Sequence, residues 1–285
     1  MIVFLNGQFV PDAQATVSVF DRSFLYGDGL FETMRLTRGR PFRWANHLER
    51  LRAGCELLGI QLPGSEEDFA GWIAELVILN QMPESLLRLT VSRGVGARGY
   101  SPRAATAPTL VMSLHPLPKI NATADNSVCP YAQWKLQTTS ITLPADSKLA
   151  RVKTANKLPQ ILARAEADAA GADEALLKST DGFVIEGSTA NLFWIENDAV
   201  CTAPADSGIL PGVTRAVVLE LCRDLNLAVR EQRITPAALG KVQGVFLTLS
   251  SLGVVEAIAL NGVPLARSPL TPRLAAAYNA VVARD

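Results

Sequence analysis

Leu149–Trp194 reads LARVKTANKLPQILARAEADAAGADEALLKSTDGFVIEGSTANLFW, and this stretch decides the fold. Leu158, Ile161, Leu162, Ala165 and Ala169 recur at three- and four-residue steps, which predicts a helix burying that face, stopped by Gly171. Two β-type runs follow, Glu174–Lys178 and Phe183–Glu186, on either side of Asp181-Gly182. An Asp-Gly pair between such runs predicts a tight hairpin with φ > 0 at both central residues. Asn191–Ile195 supplies a third strand. Lys153 stands just ahead of the helix, after Val152 and before Thr154-Ala155-Asn156, with a loop expected upstream over Thr139–Ala150. A lone lysine usually sits in water, and Lys153 with Glu186 reads equally as an ordinary ion pair. The small residues around it suit the close approach of a flat molecule.

The chain has 285 residues, enough for one large or two medium domains. Apolar residues make up 48% and charged residues 19%, the composition of a well-packed globular protein. Lys plus Arg and Asp plus Glu number 27 each, so no net charge draws the chain to nucleic acid or an anionic membrane. No apolar run is long enough to span a bilayer. MIVFLNGQFV lacks a basic segment and reads as two strands around Asn6-Gly7, so a cytoplasmic protein is expected. Cys55, Cys129, Cys201 and Cys222 are scattered and form no C-x-x-C pair; they read as reduced, buried residues. With only His47 and His115, no metal site is expected, and His47 reads as an ordinary residue opening a helix.

Strands are expected at Ile2–Leu5, Phe9–Val10, Val17–Val19 and Leu30–Leu36, with a sharp bend at Gly27-Asp28-Gly29. Phe31, Glu32, Thr33 and Met34 read as a half-buried strand. Trp44–Gly59 is an amphipathic helix with Leu48, Leu51, Cys55 and Leu58 on its apolar face and Arg50 off it. A second helix over Ser65–Asn80 starts at an N-capping Ser65. Between strands Leu86–Arg93 and Thr109–Leu114 lies SRGVGARGYSP, in which Gly94, Gly96 and Gly99 spell G-x-G-x-x-G. A dinucleotide fingerprint needs a helix opening at those glycines and an acidic residue about 20 positions on, and neither is present. The segment reads instead as a glycine-hinged, mobile loop carrying Arg93, Arg98 and Tyr100. His115-Pro116-Leu117-Pro118 and the polar run Asn121–Ser127 mark a linker, dividing the chain into 1–116, a linker over 117–127, and 128–285.

Beyond Trp194, a strand over Ala199–Ala203 and a turn over Pro204–Gly208 lead through Ile209-Leu-Pro-Gly-Val-Thr-Arg215 into a helix ending near Leu225. Gly212, Val213 and Thr214 occupy its start. Unpaired N–H groups and the positive end of the helix dipole make such a start a place for a phosphate. Val245–Leu249 is an apolar strand ending at Ser250-Ser251, and a helix runs from Thr271 to the C-terminus.

Taken together, VKTAN, GADEALL, DGFVIEGSTANLFW, GILPGVTR and VFLTLSS, with VFDRSFLYGDGLFETMR and HLERL ahead of them, resemble the fold-type IV pyridoxal-phosphate enzymes, in order and over nearly the whole chain. That family includes branched-chain aminotransferases, D-amino acid aminotransferases and 4-amino-4-deoxychorismate lyases. The resemblance implies a small N-terminal α/β domain and a larger C-terminal β-barrel-like domain with flanking helices carrying the lysine. It implies pyridoxal 5'-phosphate as cofactor, bound through an imine to Lys153, which is also the catalytic base. Glu186 would face the pyridine nitrogen, and Arg50, Gly212, Val213, Thr214 and Ser250 the phosphate. Phe31 lies on the strand that lines the pocket. Arg98 and Tyr100 match positions that bind the substrate carboxylate in the D-amino acid branch, on a loop reaching the neighbouring subunit of a homodimer with shared active sites.

The loop wording R-G-x-G-x-R-G-Y-S is nearest the aminodeoxychorismate lyases, which release p-aminobenzoate and pyruvate for folate synthesis. Lys157 stands where the branched-chain enzymes carry tyrosine, whereas Arg88 matches one of their arginines. The strand end Leu249-Ser250-Ser251 lacks an asparagine present in some lyases. The expectation is a lyase of this kind. The alternative is an aminotransferase passing the amino group of a D-amino acid, a branched-chain L-amino acid or an amine to a 2-oxo acid. A non-catalytic binding protein that keeps the fold is the remaining reading, opposed by the joint presence of Lys153, Glu186 and Arg50.

Overall fold

The computed structural model describes residues 1–105, 107–119 and 131–285. At the N-terminus β1 (Ile2–Leu5) and β2 (Gln8–Pro11) form a hairpin across Asn6-Gly7. Both turn residues have positive φ, 48° and 88°, as the Asn-Gly pair predicts. Then follow α1 (Arg22–Tyr26), β3 (Gly29–Thr37), β4 (Arg40–Pro41), α2 (Trp44–Leu58), α3 (Glu66–Asn80), β5 (Ser85–Ser92) and β6 (Thr109–His115). The strands make a six-stranded antiparallel sheet in the order β2-β1-β6-β5-β3-β4. Leu30, Met34 and Leu36 of β3 and Leu87, Leu89 and Val91 of β5 pack with Leu51 and Cys55 of α2 and Phe69, Ile73 and Leu76 of α3. Ser65 caps α3 reciprocally: its hydroxyl accepts from Asp68 N (3.1 Å), and the Asp68 carboxylate accepts from Ser65 N (2.7 Å).

Val17–Val19 is not a strand. Its β-branched residues have no neighbouring strand to pair with and stay exposed, and β propensity without a ladder does not make a strand. The Gly27-Asp28-Gly29 bend is the end of α1: Asp21 caps its start by accepting from Ser23 N, and Gly27 closes it at φ 68°.

The second half contains β7 (Gln133–Leu143), α4 (Leu158–Ala169), β8 (Glu174–Ser179), β9 (Val184–Gly187), β10 (Asn191–Glu196), β11 (Ala199–Thr202) and α5 (Val213–Asp224). It continues with β12 (Val229–Glu231), α6 (Pro236–Leu239), β13 (Gly244–Leu249), β14 (Gly253–Leu260), β15 (Val263–Pro264) and α7 (Leu270–Arg284). The path β10-β13-β14-β7-β8-β9 returns to β10 through the pair Asn191↔Glu186, closing a barrel. β11 and β12 extend from β10, and β15 pairs with β14. Leu136, Leu176, Val184, Leu192, Trp194, Val245, Leu247 and Ala257 share one core. The alternate residue Phe193 stacks on Phe246 at 4.9 Å instead.

Three expectations change here. β7 runs through Thr139–Leu143, which was expected to be loop, and pairs in parallel with β8 and β14. In the β8–β9 turn only Gly182 has positive φ (87°). Ser179 O accepts from Gly182 N (2.9 Å) and Ser179 N donates to Phe183 O (2.8 Å), so the loop is longer than the two-residue turn and ends on a left-handed glycine. In α4 the buried residues are Ala163 and Ala167, which let the helix lie close on Ala175 and Leu177 of β8. Leu158, Ile161 and Leu162 are 61%, 61% and 49% exposed.

The chain separates into two compact units that do not follow sequence order. Met1–Leu117, Val152–Lys157 and Asp285 form the first; Pro118–Arg151 and Leu158–Arg284 form the second. Lys153 lies in the first of these units. Its segment lies along β3: Phe31 N donates to Lys153 O (2.9 Å) and Ala155 N to Gly29 O (2.8 Å). Residues 120–127 of the expected linker and Cys129 lie outside the described residues. Cys55, Cys201 and Cys222 are buried and unpaired by disulfides. No helix among the described residues is long and apolar enough to cross a membrane, and they hold no group of three His, Cys, Asp or Glu side chains suited to a metal.

Candidate active site

Strand β3 alternates Leu30, Glu32, Met34 and Leu36 toward α2 and α3, so a carboxylate enters the apolar face of the sheet. Glu32 is 1% exposed. Arg50 meets it with two bonds, Nε to Oε1 at 2.8 Å and Nη2 to Oε2 at 2.7 Å. His47, one turn earlier on α2, places Nδ1 2.7 Å from Oε2. Burial raises the Glu32 pKa, but the Arg50 charge and the bonds from His47 and Arg50 outweigh it and bring it to about 2. Burial pushes His47 below its usual value, opposed by Glu32 and aided by the charges of Arg50 and Lys153. A neutral imidazole beside an ionised carboxylate carries its proton on Nδ1. His47 is thus no ordinary helix residue.

Three expected site residues meet on this unit. Lys153 Nζ lies 4.7 Å from the centre of the Phe31 ring, and Arg88 Cζ lies 3.6 Å from the same ring. Arg88 stands on β5 opposite Thr33. Burial holds its pKa below the usual value, with Glu32 pulling the other way. Arg50 joins the group through Glu32 and His47.

Arg98 and Tyr100 sit on the loop after β5, both exposed, Tyr100 at 87%. No helix opens at its glycines. The expected glycine-hinged loop is tied to α1 at Gly99–Ser101. Arg22 donates from Nη1 to Gly99 O (2.8 Å) and Ser101 O (3.3 Å) and from Nη2 to Tyr100 O (3.1 Å). Gly99 N donates to the Tyr26 hydroxyl (3.2 Å), and the Tyr26 and Tyr100 rings meet edge to face at 5.5 Å.

The other expected residues belong to the barrel unit. Glu186 Oε2 accepts from Leu210 N (3.0 Å) and Asn191 Nδ2 (3.2 Å), and Asn191 Nδ2 also donates to Leu210 O (2.9 Å). Asn191 thus ties the carboxylate to the approach of α5. Gly212 is the N-cap of that helix and Val213 and Thr214 its first two residues; no side chain caps it. A Cβ on Gly212 would lie 1.9 Å from Asn191 Oδ1, so only glycine fits. Ser250 follows β13 two residues beyond Thr248, the partner of Asn191 on β10. Beneath the Glu186–Asn191 connection, fully buried Glu174 accepts from Ala175 N (2.8 Å), Ser188 N (3.1 Å) and the hydroxyls of Ser188 and Thr189.

Sequence reading missed Glu32, His47, Arg22, Glu174 and Asn191. A signal existed for Glu32: it falls in the i, i+2 series of Leu30 and Met34, so it had to be buried and needed a cation. His47 and Arg50 stand at the i, i+3 spacing that shares a helix face.

Residues 29–259 match the family described as Amino-transferase class IV. A Methanocaldococcus jannaschii protein provisionally named a branched-chain-amino-acid aminotransferase is 34% identical, over 92% of this chain and 88% of its own length. D-alanine aminotransferase of Bacillus licheniformis is 29% identical over 95% of this chain and 93% of its own. The crystal structure of 4-amino-4-deoxychorismate lyase from Pseudomonas aeruginosa superposes with a TM-score of 0.81 at 30% identity, covering 95% of this chain and 96% of that one. The family depends on pyridoxal phosphate. The donor set fits that group: an amine flanked by an aromatic ring, a half-buried carboxylate held by two N–H donors, and a helix start with no side-chain cap. An N-terminal sheet unit and a C-terminal closed-barrel unit with helices are the fold-type IV architecture, and the chain belongs to the class IV aminotransferase family of pyridoxal-phosphate enzymes.

Proposed function

We propose that this enzyme converts 4-amino-4-deoxychorismate to p-aminobenzoate and pyruvate. The observation that carries the reading is the loop Arg93–Ser101, whose R-G-x-G-x-R-G-Y-S wording is that of the lyase branch and whose Gly99–Ser101 end is fixed by Arg22. When bound, pyridoxal phosphate supplies an electron sink for charge developing at the amine-bearing carbon. Lys153 Nζ takes the proton from that carbon and returns one to the departing enolpyruvyl group, so that pyruvate leaves and the ring becomes aromatic. Glu186 would keep a proton on the pyridine nitrogen, and the N–H groups and hydroxyl at the start of α5, with Ser250 and Arg50, would bind the phosphate. Glu32 fixes the angle of the Arg50 fork. Arg98 and Tyr100 receive a substrate carboxylate.

A second reading has its own support. Arg88 packed on the Phe31 ring gives the lysine side of the site a further cation, and the M. jannaschii relative bears a transaminase name. In that reading Lys153 takes the Cα proton of the amino donor, the amino group would stay with bound pyridoxal phosphate, and water supplies the oxygen of the departing 2-oxo acid. We also propose a homodimer. The exposed Leu158, Ile161 and Leu162 on α4 are an apolar face of the kind that pairs two copies.

The deciding experiment follows the visible spectrum of the holoenzyme with aminodeoxychorismate, D-alanine, L-leucine, L-glutamate and (R)-1-phenylethylamine. Release of p-aminobenzoate with the cofactor band unchanged supports the lyase. Bleaching by an amino acid or amine, reversed by a 2-oxo acid, overturns it in favour of transamination. Full activity in Lys153→Ala would overturn both.

A further inference from the structure

Arg22 is buried on a five-residue helix, and nothing in the proposed chemistry uses it. Its Nε donates to Asp28 Oδ2 (2.8 Å), and its two terminal nitrogens take the carbonyls of three consecutive residues, Gly99, Tyr100 and Ser101. A guanidinium can do this because its donors form a rigid planar fork; an ammonium cannot meet three carbonyls and a carboxylate at once. Asp28 is shared: Arg93, at the near end of the same loop, also donates to Oδ2 (2.8 Å) and reaches Leu58 O (2.7 Å) and Gly59 O (3.0 Å) at the end of α2. Both ends of the loop therefore hang on one carboxylate. The node continues to the lysine. Gly27 lies against Asn156, and Gly29 O accepts from Ala155 N, two residues beyond Lys153.

From this we infer that Arg22 is a positioning residue for substrate binding. By holding the carbonyls of residues 99–101 it fixes where Arg98 and Tyr100 present their side chains. The inference rests on the proposed reading in one respect: Arg98 and Tyr100 must be the groups that meet the substrate carboxylate. Loop order alone does not need that reading, so the two are tested separately.

The test uses the holoenzyme and its Arg22→Met and Arg22→Lys variants. Limited trypsin digestion reads the Arg98–Gly99 bond directly. In Arg22→Met cleavage there is expected to be about tenfold faster, because a segment released from its anchors opens more often. With the donor that turns over, KM is expected to rise about five- to tenfold while kcat stays within about twofold, the mark of lost binding rather than lost proton transfer. Arg22→Lys restores part of the loss. If Arg22→Met does not fold, Tyr26→Phe, which removes only the acceptor of Gly99 N–H, is expected to move cleavage and KM the same way by about threefold. Equal cleavage rates, or faster cleavage with KM unchanged, overturn the inference. Failure of the functional reading shows differently: the unmodified holoenzyme turns over no donor, whatever the digestion reports.

Discussion

At Glu32 a carboxylate lies in the apolar face of a sheet and stays charged because Arg50 and His47 are delivered to it by one helix. A folded-state pKa of about 2, against an ordinary 4.5, corresponds to about 3 kcal/mol of stability. That contribution is complete above pH 4.5 and is lost as pH falls toward 2, since the unfolded chain protonates first. Denaturant titrations across this window are expected to show Glu32→Gln flatter than the unmodified protein and about 3 kcal/mol less stable near neutrality. Equal slopes would mean the carboxylate is not held by these partners. In the sequence, Arg50 lies off the apolar face of its helix and stood out only by resemblance. A one-dimensional pattern shows which face a residue takes but not the element arriving opposite it, and the meeting of β3 with α2 is what turns three scattered residues into one group.

Among the elements, the hairpin joining β9 to β10 carries Glu186, the proposed partner of the pyridine nitrogen, on one arm and Asn191 on the other. Glu174 holds its turn by accepting from three donors there, Ser188 N and the hydroxyls of Ser188 and Thr189. Glu174→Ala is expected to lower stability by about 2–4 kcal/mol, because it strands buried donors rather than merely removing a bond. Chemical denaturation measures this, and the loss of pyridoxal phosphate affinity should accompany it. Gly212→Ala forces a methyl onto Asn191 Oδ1 and is expected to cost about 1–3 kcal/mol, with a drop in cofactor affinity read by absorbance titration. Here the sequence was readable where a local rule governs: Asn6-Gly7, Ser65 and the α5 start all formed as predicted. It misled where tertiary context overrules. Asp181-Gly182 took a longer loop with one left-handed residue, Val17–Val19 found no ladder, and α4 turned its alanines inward and its leucines out.

For the whole molecule, the outward leucines of α4 predict self-association. Ile161→Asp with Leu162→Asp is expected to convert a dimer to a monomer in sedimentation; an unmodified protein that already sediments as a monomer would refute the pairing. The order in which the chain visits its two units has a separate consequence. It leaves the first unit near residue 117, returns for Val152–Lys157, and leaves again. The amine and the strand it lies against are thus sewn together by a six-residue stitch inserted in the middle of the other unit's sequence. No single cut yields a fragment owning both the complete first unit and nothing of the second. Such a chain resists modular exchange: a gene fusion that borrowed residues 1–117 would inherit Glu32, His47 and Arg50 without the lysine, and one that borrowed the remainder would carry Lys153 away from its strand.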